Sequence, residues 1–253
     1  MTRRRIRLRT AVLFAVALAV VSGCVGGMPK VPATPDAVLE RAQDYQTRGK
    51  YIQAAALYQQ FLERYAGHER ADFAQYMLAE THFEDRDYSL AAVEFQVVIS
   101  NYGYSEYVDD ALFKIGVCYW NQAPRSQRDQ QKSFDALSRF NQYRQTFPEG
   151  EYADEVEKYV REINERLAQK EYAAARWYYR QKHGAAAMIY CDKIIENYPD
   201  NRYWAQALLL KGDILLRRGE NEEAIRQYTR LLEYPGDAGI RQQAETKIRE
   251  ARR

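Results

Sequence analysis

Residues 65–102, YAGHERADFAQYMLAETHFEDRDYSLAAVEFQVVISNY, begin and end on an aromatic residue and carry two apolar-periodic segments parted by the polar turn Asp85-Arg86-Asp87. Each segment repeats its apolar positions at intervals of three and four, the spacing that puts them on one side of a helix. The unit therefore reads as two helices joined by a tight turn. The same pattern recurs along the chain. An aromatic residue precedes a small or branched one by nine places at Tyr65…Ala74, Tyr102…Ala111, Phe147…Val156 and Tyr198…Ala207, and by ten at Tyr234…Ala244.

A second register agrees with the first. Small residues stand at Ala42, Ala79, Gly116, Ala175 and Gly212, with three of the four intervals equal to 37 residues and the other to 59. Twelve places on come Ala54, Ala91, Ala187 and Ala224, with Ala136 displaced by an insertion of eight, and four further on come Tyr58, Phe95, Phe140, Cys191 and Tyr228. Two facing small residues let a pair of helices approach closely, and the larger residue one turn later fills the space beside them. This pattern resembles the tetratricopeptide repeat, whose usual period is about 34 residues. The turn residues inside the pairs are Gly49, Asp85-Arg86-Asp87, His183-Gly184 and Gly219-Glu220-Asn221.

The expectation is an all-α solenoid of about five tetratricopeptide-like helix pairs over residues 36–253, with an N-terminal half 36–148 and a C-terminal half 149–253. Stacked pairs need a polar cap at the end of the array, and the charged tail Ala238–Arg253 reads as a C-terminal capping helix. Two departures interrupt the array. Asn121–Lys132 is polar and contains Pro124, which makes a loop in the third pair, either a tolerated insertion or a partner contact. Glu151–Arg180 reads as one unusually long helix, with apolar residues at Val156, Tyr159, Val160, Ile163 and Leu167.

The first 35 residues are of another kind. Arg3, Arg4, Arg5, Arg7 and Arg9 precede the apolar run Ala11–Val21, which is too short to span a bilayer, and Val21-Ser22-Gly23-Cys24 follows. This order resembles the bacterial lipobox, which implies a signal peptide over 1–23, acylation of Cys24 and cleavage just before it. Acyl chains hold a protein to a bilayer through about 0.8 kcal/mol per buried CH2, so an acylated Cys24 needs no transmembrane helix. Val25, which is not Asp, implies outer-membrane delivery by the same resemblance. Residues 24–35, with two Gly and three Pro after the cysteine, read as a flexible tether.

Charge and motifs exclude several functions. The whole chain is +2, but removing the five N-terminal arginines from 37 basic residues leaves 32 against 35 acidic ones, a balance of −3. Nucleic-acid binding, which needs a surviving basic stripe, is not expected. No phosphate loop, zinc motif or nucleophile elbow is present, and no cofactor, metal site or catalytic residue is expected. His68, His82 and His183 stand on separate repeats, and His82 shares its repeat place with Tyr45 and Tyr119, a packing position. Cys118 and Cys191 lie on different repeats and read as buried thiols rather than a bridge.

Counted from the small residue of each first helix, places −6, −3, +1, +4 and +5 should line a concave groove. The first pair puts Asp36, Leu39, Gln43, Gln46 and Thr47 there, and the second Phe73, Tyr76, Glu80, Phe83 and Glu84. The third contributes Asp110, Phe113, Val117, Trp120 and Asn121, and the fourth Gln169, Tyr172, Arg176, Tyr179 and Arg180. Tyr76, Phe83, Phe113 and Trp120 are thus candidate peptide-binding anchors, and Arg176, Tyr179 and Arg180 a candidate docking strip. The same aromatics could instead be core between repeats, since a shift of one place exchanges the two roles.

Val21-Ser22-Gly23-Cys24, the Tyr198-Pro199-Asp200 linker, Ala173-Ala174-Ala175-Arg176-Trp177-Tyr178-Tyr179 and the long helix before it together resemble the BamD family, lipoproteins of the outer-membrane β-barrel assembly machinery. Gly184, where the fourth pair lacks a turn tyrosine, departs from that pattern. The resemblance implies that the N-terminal pairs receive the aromatic-ended segment of an unfolded outer-membrane β-barrel protein. It further implies that the C-terminal pairs dock on the POTRA region of the insertase BamA, beside other assembly lipoproteins. Another periplasmic tetratricopeptide lipoprotein, serving pilus biogenesis or Tol-Pal and cell-wall coordination, stays open as an alternative. With the mature chain filled by repeats, a cell-wall enzyme has no room for its catalytic domain.

Overall fold

A computed structural model describes residues 33–124, 129–199, 201–236 and 238–252. The expected Cys24 acylation site, the signal peptide 1–23, tether residues 24–32 and insertion residues 125–128 lie outside the described residues. All regular structure among the described residues is helical, in eleven helices. They are α1 (Pro35–Thr47), α2 (Tyr51–Arg64), α3 (Ala71–Glu84), α4 (Tyr88–Asn101), α5 (Val108–Gln122) and α6 (Gln131–Thr146). There follow α7 (Ala153–Arg180), α8 (Gly184–Asn197), α9 (Arg202–Arg217), α10 (Asn221–Arg230) and α11 (Ala238–Ala251). These are the five expected pairs and the capping helix, and the fold is all-α with tetratricopeptide-like repeats.

The chain forms two compact units, one ending at Asp85 and the other starting at Arg86. The first holds α1–α3, with α2 packed on both neighbours. In the second, α4 packs on α5, and each following helix packs on the next through to α11. The halves read from the sequence meet at 148/149, where α6 and α7 pack on one another inside the second unit.

Local chemistry sets the helix ends. Thr34 accepts a hydrogen bond from the Ala37 N–H at 3.4 Å with Pro35 behind it, and Asp87 accepts from the Leu90 N–H at 3.2 Å. Asn201 accepts from both the Tyr203 and Trp204 N–H groups, at 2.8 and 3.0 Å. Such caps satisfy amides that the helix leaves unpaired. The aromatic residues of the first register close the second helices: Tyr65, Tyr102, Phe147 and Tyr198 are C-caps with φ of −129°, −126°, −130° and −133°. Tyr234 departs, lying three residues past the α10 cap Leu231.

The turns inside four pairs share one conformation, a residue with positive φ two places before the second helix. It is Gly49 (68°), Arg86 (64°), Lys182 (64°) and Gly219 (78°). In the fourth pair this corrects the sequence reading, since the strained residue is Lys182 and Gly184 is already the first residue of α8. Gly184 thus occupies the place of Tyr51 and Tyr88, which open α2 and α4.

The second register is the core. Ala42, Ala54 and Tyr58 in the first unit are fully buried, as are Ala136, Phe140, Ala175, Ala187, Cys191, Ala224 and Tyr228 in the second. Where the small residue is glycine the approach is closest: a Cβ at Gly116 or Gly212 would run into the ring of Phe140 or Tyr228. α7 buries Val156, Val160, Ile163, Leu167, Ala168 and Ala175 along one stripe. Its first half meets α6 through Tyr159 stacked on Phe140, ring centroids 4.9 Å apart, and its second half meets α8 through Tyr178 stacked on Tyr190 at 5.3 Å.

Candidate partner-binding surfaces

In the first unit, Tyr76 and Phe83 stand on α3 and stay partly exposed while the α3 register residues Ala74, Leu78 and Ala79 are buried. The Tyr76 hydroxyl donates to Glu80 Oε1 at 3.2 Å, one helical turn on. The Arg70 guanidinium lies 4.8 Å over the Phe73 ring and also pairs with Asp36 at 3.3 Å, tying the start of α3 to the start of α1.

At the other end of these helices a cavity of about 500 Å³ opens among Gln43, Gln46, Thr47, Tyr51, Met77 and Glu84. Beneath it the fully buried Tyr58 donates its hydroxyl to Gln46 Oε1 at 3.2 Å, and Gln46 Nε2 donates to Glu84 Oε2 at 3.0 Å. Burial, with the Glu84 charge adding to it, pushes the Tyr58 phenol far above its ordinary value. It stays a neutral donor, which fixes the Gln46 amide so that its N–H points at Glu84.

Phe113 and Trp120 stand on α5 of the second unit. Phe113 is core, only 5% exposed, because the linker residue Tyr152 stacks on its ring at 4.2 Å and Phe140, Tyr143 and Tyr159 surround it. Phe113, expected as a peptide-binding anchor, is thus packed rather than presented at the surface. Trp120 is partly exposed, with the Arg166 guanidinium 3.6 Å over its ring. Beside Phe113, the Tyr143 hydroxyl donates to Asp109 Oδ2 at 3.4 Å, and the Tyr152 hydroxyl donates to Asp110. Burial, reinforced by the neighbouring Asp110 charge, holds the Asp109 carboxyl above the usual carboxylate range.

The expected docking strip shares one face near the end of α7: Arg176 and Arg180 are exposed, and Tyr179 is partly buried with the Arg217 guanidinium 4.9 Å over its ring. Next to it lies a cavity of about 850 Å³ whose lining includes Tyr178, Tyr179, Gly184, Ile214, Arg217 and Arg218. Sequence reading missed Arg217, Arg218 and this opening. Its signal was Gly184, since a tyrosine at the start of α8, as at the start of α2 and α4, would crowd that space. Trp177, 49% exposed and edge-on to Tyr178 at 4.8 Å, was missed as well.

Cys118 and Cys191 are both buried, with no disulfide between them, and burial pushes the Cys191 thiol up to about 12. His82 is partly buried with Nε2 unpaired. No described helix is long and apolar enough to cross a membrane.

Comparison with known proteins adds the following. The sequence profile of the YfiO family, described as outer membrane lipoprotein, matches residues 28–231. The outer membrane protein assembly factor BamD of Caulobacter vibrioides is 27% identical over 241 residues, 90% of this chain and 78% of that protein. The factor of the same name from Rickettsia prowazekii is 24% identical over 224 residues, 86% of this chain and 89% of that protein. Among solved structures, the TPR2AB domain of yeast Sti1 is 12% identical with a TM-score of 0.47, covering 86% of this chain and 83% of that one.

Proposed function

The chain belongs to the YfiO family of outer membrane lipoproteins, and from that membership we propose that it is the substrate-receiving scaffold of a β-barrel assembly machine. Its relatives are outer membrane protein assembly factors, and this chain acts as they are named, by binding rather than by catalysis. Acylated Cys24 anchors it to the periplasmic face of the outer membrane. Its N-terminal pairs take the aromatic-ended segment of an unfolded outer-membrane β-barrel protein. Its strip Arg176, Tyr179 and Arg180 docks on the POTRA region of BamA, alongside further assembly lipoproteins.

The observation that supports this reading at the residue level is the partial exposure of Tyr76 and Phe83 on α3. Rings that complete a core are covered by it, as Tyr58, Phe61 and Phe140 are. Rings left partly in water at a helical register are surfaces on which an extended aromatic peptide gains affinity.

Affinity capture of the full chain from gently solubilised outer membranes tests the reading. The β-barrel insertase should co-purify. Recovery of pilus-biogenesis or Tol-Pal components in its place would overturn it. Cys24→Ala should leave the chain uncleaved or released from the membrane, and efficient membrane recovery of that variant would remove the acyl anchor from the account.

A further inference from the structure

The cavity of the first unit carries a charge that its own surroundings do not answer. Glu84 is the last residue of α3, and its carboxylate faces the end of α1 across about 500 Å³ lined by Gln43, Gln46, Thr47, Tyr51 and Met77. Among the described residues, the hydrogen bond it accepts comes from Gln46, on Oε2, and the ion pairs formed there do not include it. Gln46 is itself buried and oriented from below by Tyr58. The carboxylate is therefore held in place by a relay that begins in the core, and Glu84 itself stands exposed at the rim of the cavity.

The lining suits one kind of side chain. Tyr51 and Met77 give an apolar wall on which an alkyl stem can lie, since a thioether adapts its shape and long cationic side chains bury their stems while the charge stays near water. Glu84, with the amide oxygen of Gln43 and the hydroxyl of Thr47, supplies acceptors around the far end. An ammonium or guanidinium group, which only donates, is satisfied there. An acidic side chain would face Glu84 at close range.

We propose that this cavity is a subsite for a lysine or arginine side chain of the incoming unfolded polypeptide, and that Glu84 makes the first unit select a cationic residue upstream of the aromatic end. This rests on the reading that the first unit receives such segments. Gln46 and Tyr58 are positioning residues, acting through Glu84. Because Glu84 sits at the rim, the preference is modest and shrinks with added salt.

Four peptide series against the full chain separate the two ideas: a C-terminal Phe or Ala, crossed with a Lys or a Glu scanned through the upstream positions, titrated by fluorescence anisotropy at low salt. The Lys peptides should bind about two- to fivefold more tightly than the Glu peptides, the range for an exposed charge pair. Glu84→Gln, which keeps volume and an acceptor for Gln46, should abolish the preference, and Glu84→Lys should reverse it. No preference in the parent chain, or one that survives Glu84→Gln, overturns the subsite. A charge preference that obeys Glu84 while affinity ignores the terminal residue keeps the subsite and overturns the aromatic reception. Binding by none of the four overturns both.

Discussion

The ring of Phe140 lies against the α-carbon of Gly116, so that a methyl carbon added there would stand 2.6 Å from Phe140 Cε1. Replacing a mid-helix glycine by alanine ordinarily gains about 1 kcal/mol. Here overpacking, at about 1–3 kcal/mol, works against it. Gly116→Ala should therefore lower stability by up to about 2 kcal/mol in urea unfolding, and adding Phe140→Leu should cost less than the two single changes summed. A stabilised Gly116→Ala would mean that α5 and α6 are not packed this closely.

Lys182 holds φ of 64° at the place where Gly49 and Gly219 hold 68° and 78°. A left-handed conformation costs an ordinary residue about 1 kcal/mol and glycine almost nothing, while glycine loses more freedom on folding. Lys182→Gly should raise stability by about 0.3–1 kcal/mol, and Gly219→Ala should lower it by about 1 kcal/mol. The urea midpoints of the two variants should move in opposite directions, and a shift in the same direction would refute the shared turn.

Asp109 has its folded-state carboxyl raised by burial and by Asp110. A raised carboxyl favours the folded state while it is protonated, below the unfolded-state value, and that contribution is lost as pH rises through the folded-state value. At neutral pH the ionised Asp109 thus weighs against folding. Asp109→Asn keeps an acceptor for Tyr143 and should raise the urea midpoint at pH 7, with the advantage shrinking as pH falls through the carboxylate range. An advantage that grows on acidification would reverse the sign of this argument.

The helix pairs were legible because close packing writes itself as residue size. Ala42 facing Ala54, or Gly116 under Phe140, can be read from spacing alone. The turns were legible at Gly49 and Gly219, where residue type marks the conformation. At Asp85-Arg86-Asp87 and His183-Gly184 the turn itself was legible, but the positive φ at Arg86 and Lys182 was hidden, because those residue types do not mark it. Phe113 and Trp120 occupy one register two turns apart, and nothing local distinguishes core from surface. The difference comes from Tyr152, which reaches Phe113 from the linker between α6 and α7. The Glu84 cavity was half legible: the register faced Gln43, Gln46 and Glu84 inward, but the relay from Tyr58 joins three helices.

The two anchor candidates on α5, Phe113 and Trp120, should separate in mutational cost. Phe113→Ala should lose about 3–5 kcal/mol of stability, as large core truncations do. Trp120→Ala should lose less, since Trp120 is partly exposed where Phe113 is buried. Equal costs in thermal or urea unfolding would place Trp120 in the core.

Reception of an aromatic peptide is tested most directly by titrating a barrel-protein C-terminal peptide against the parent chain and Phe83→Ala, with urea unfolding run on the same samples. Burying a fully exposed aromatic ring is worth about 1.5–3 kcal/mol, and Phe83 is already partly covered, so affinity should fall about three- to tenfold. The unfolding midpoint should fall less than it does for Phe113→Ala, whose ring is buried. Unchanged affinity in a folded Phe83→Ala variant would contradict the account, and so would a variant that no longer folds, because Phe83 would then be packing.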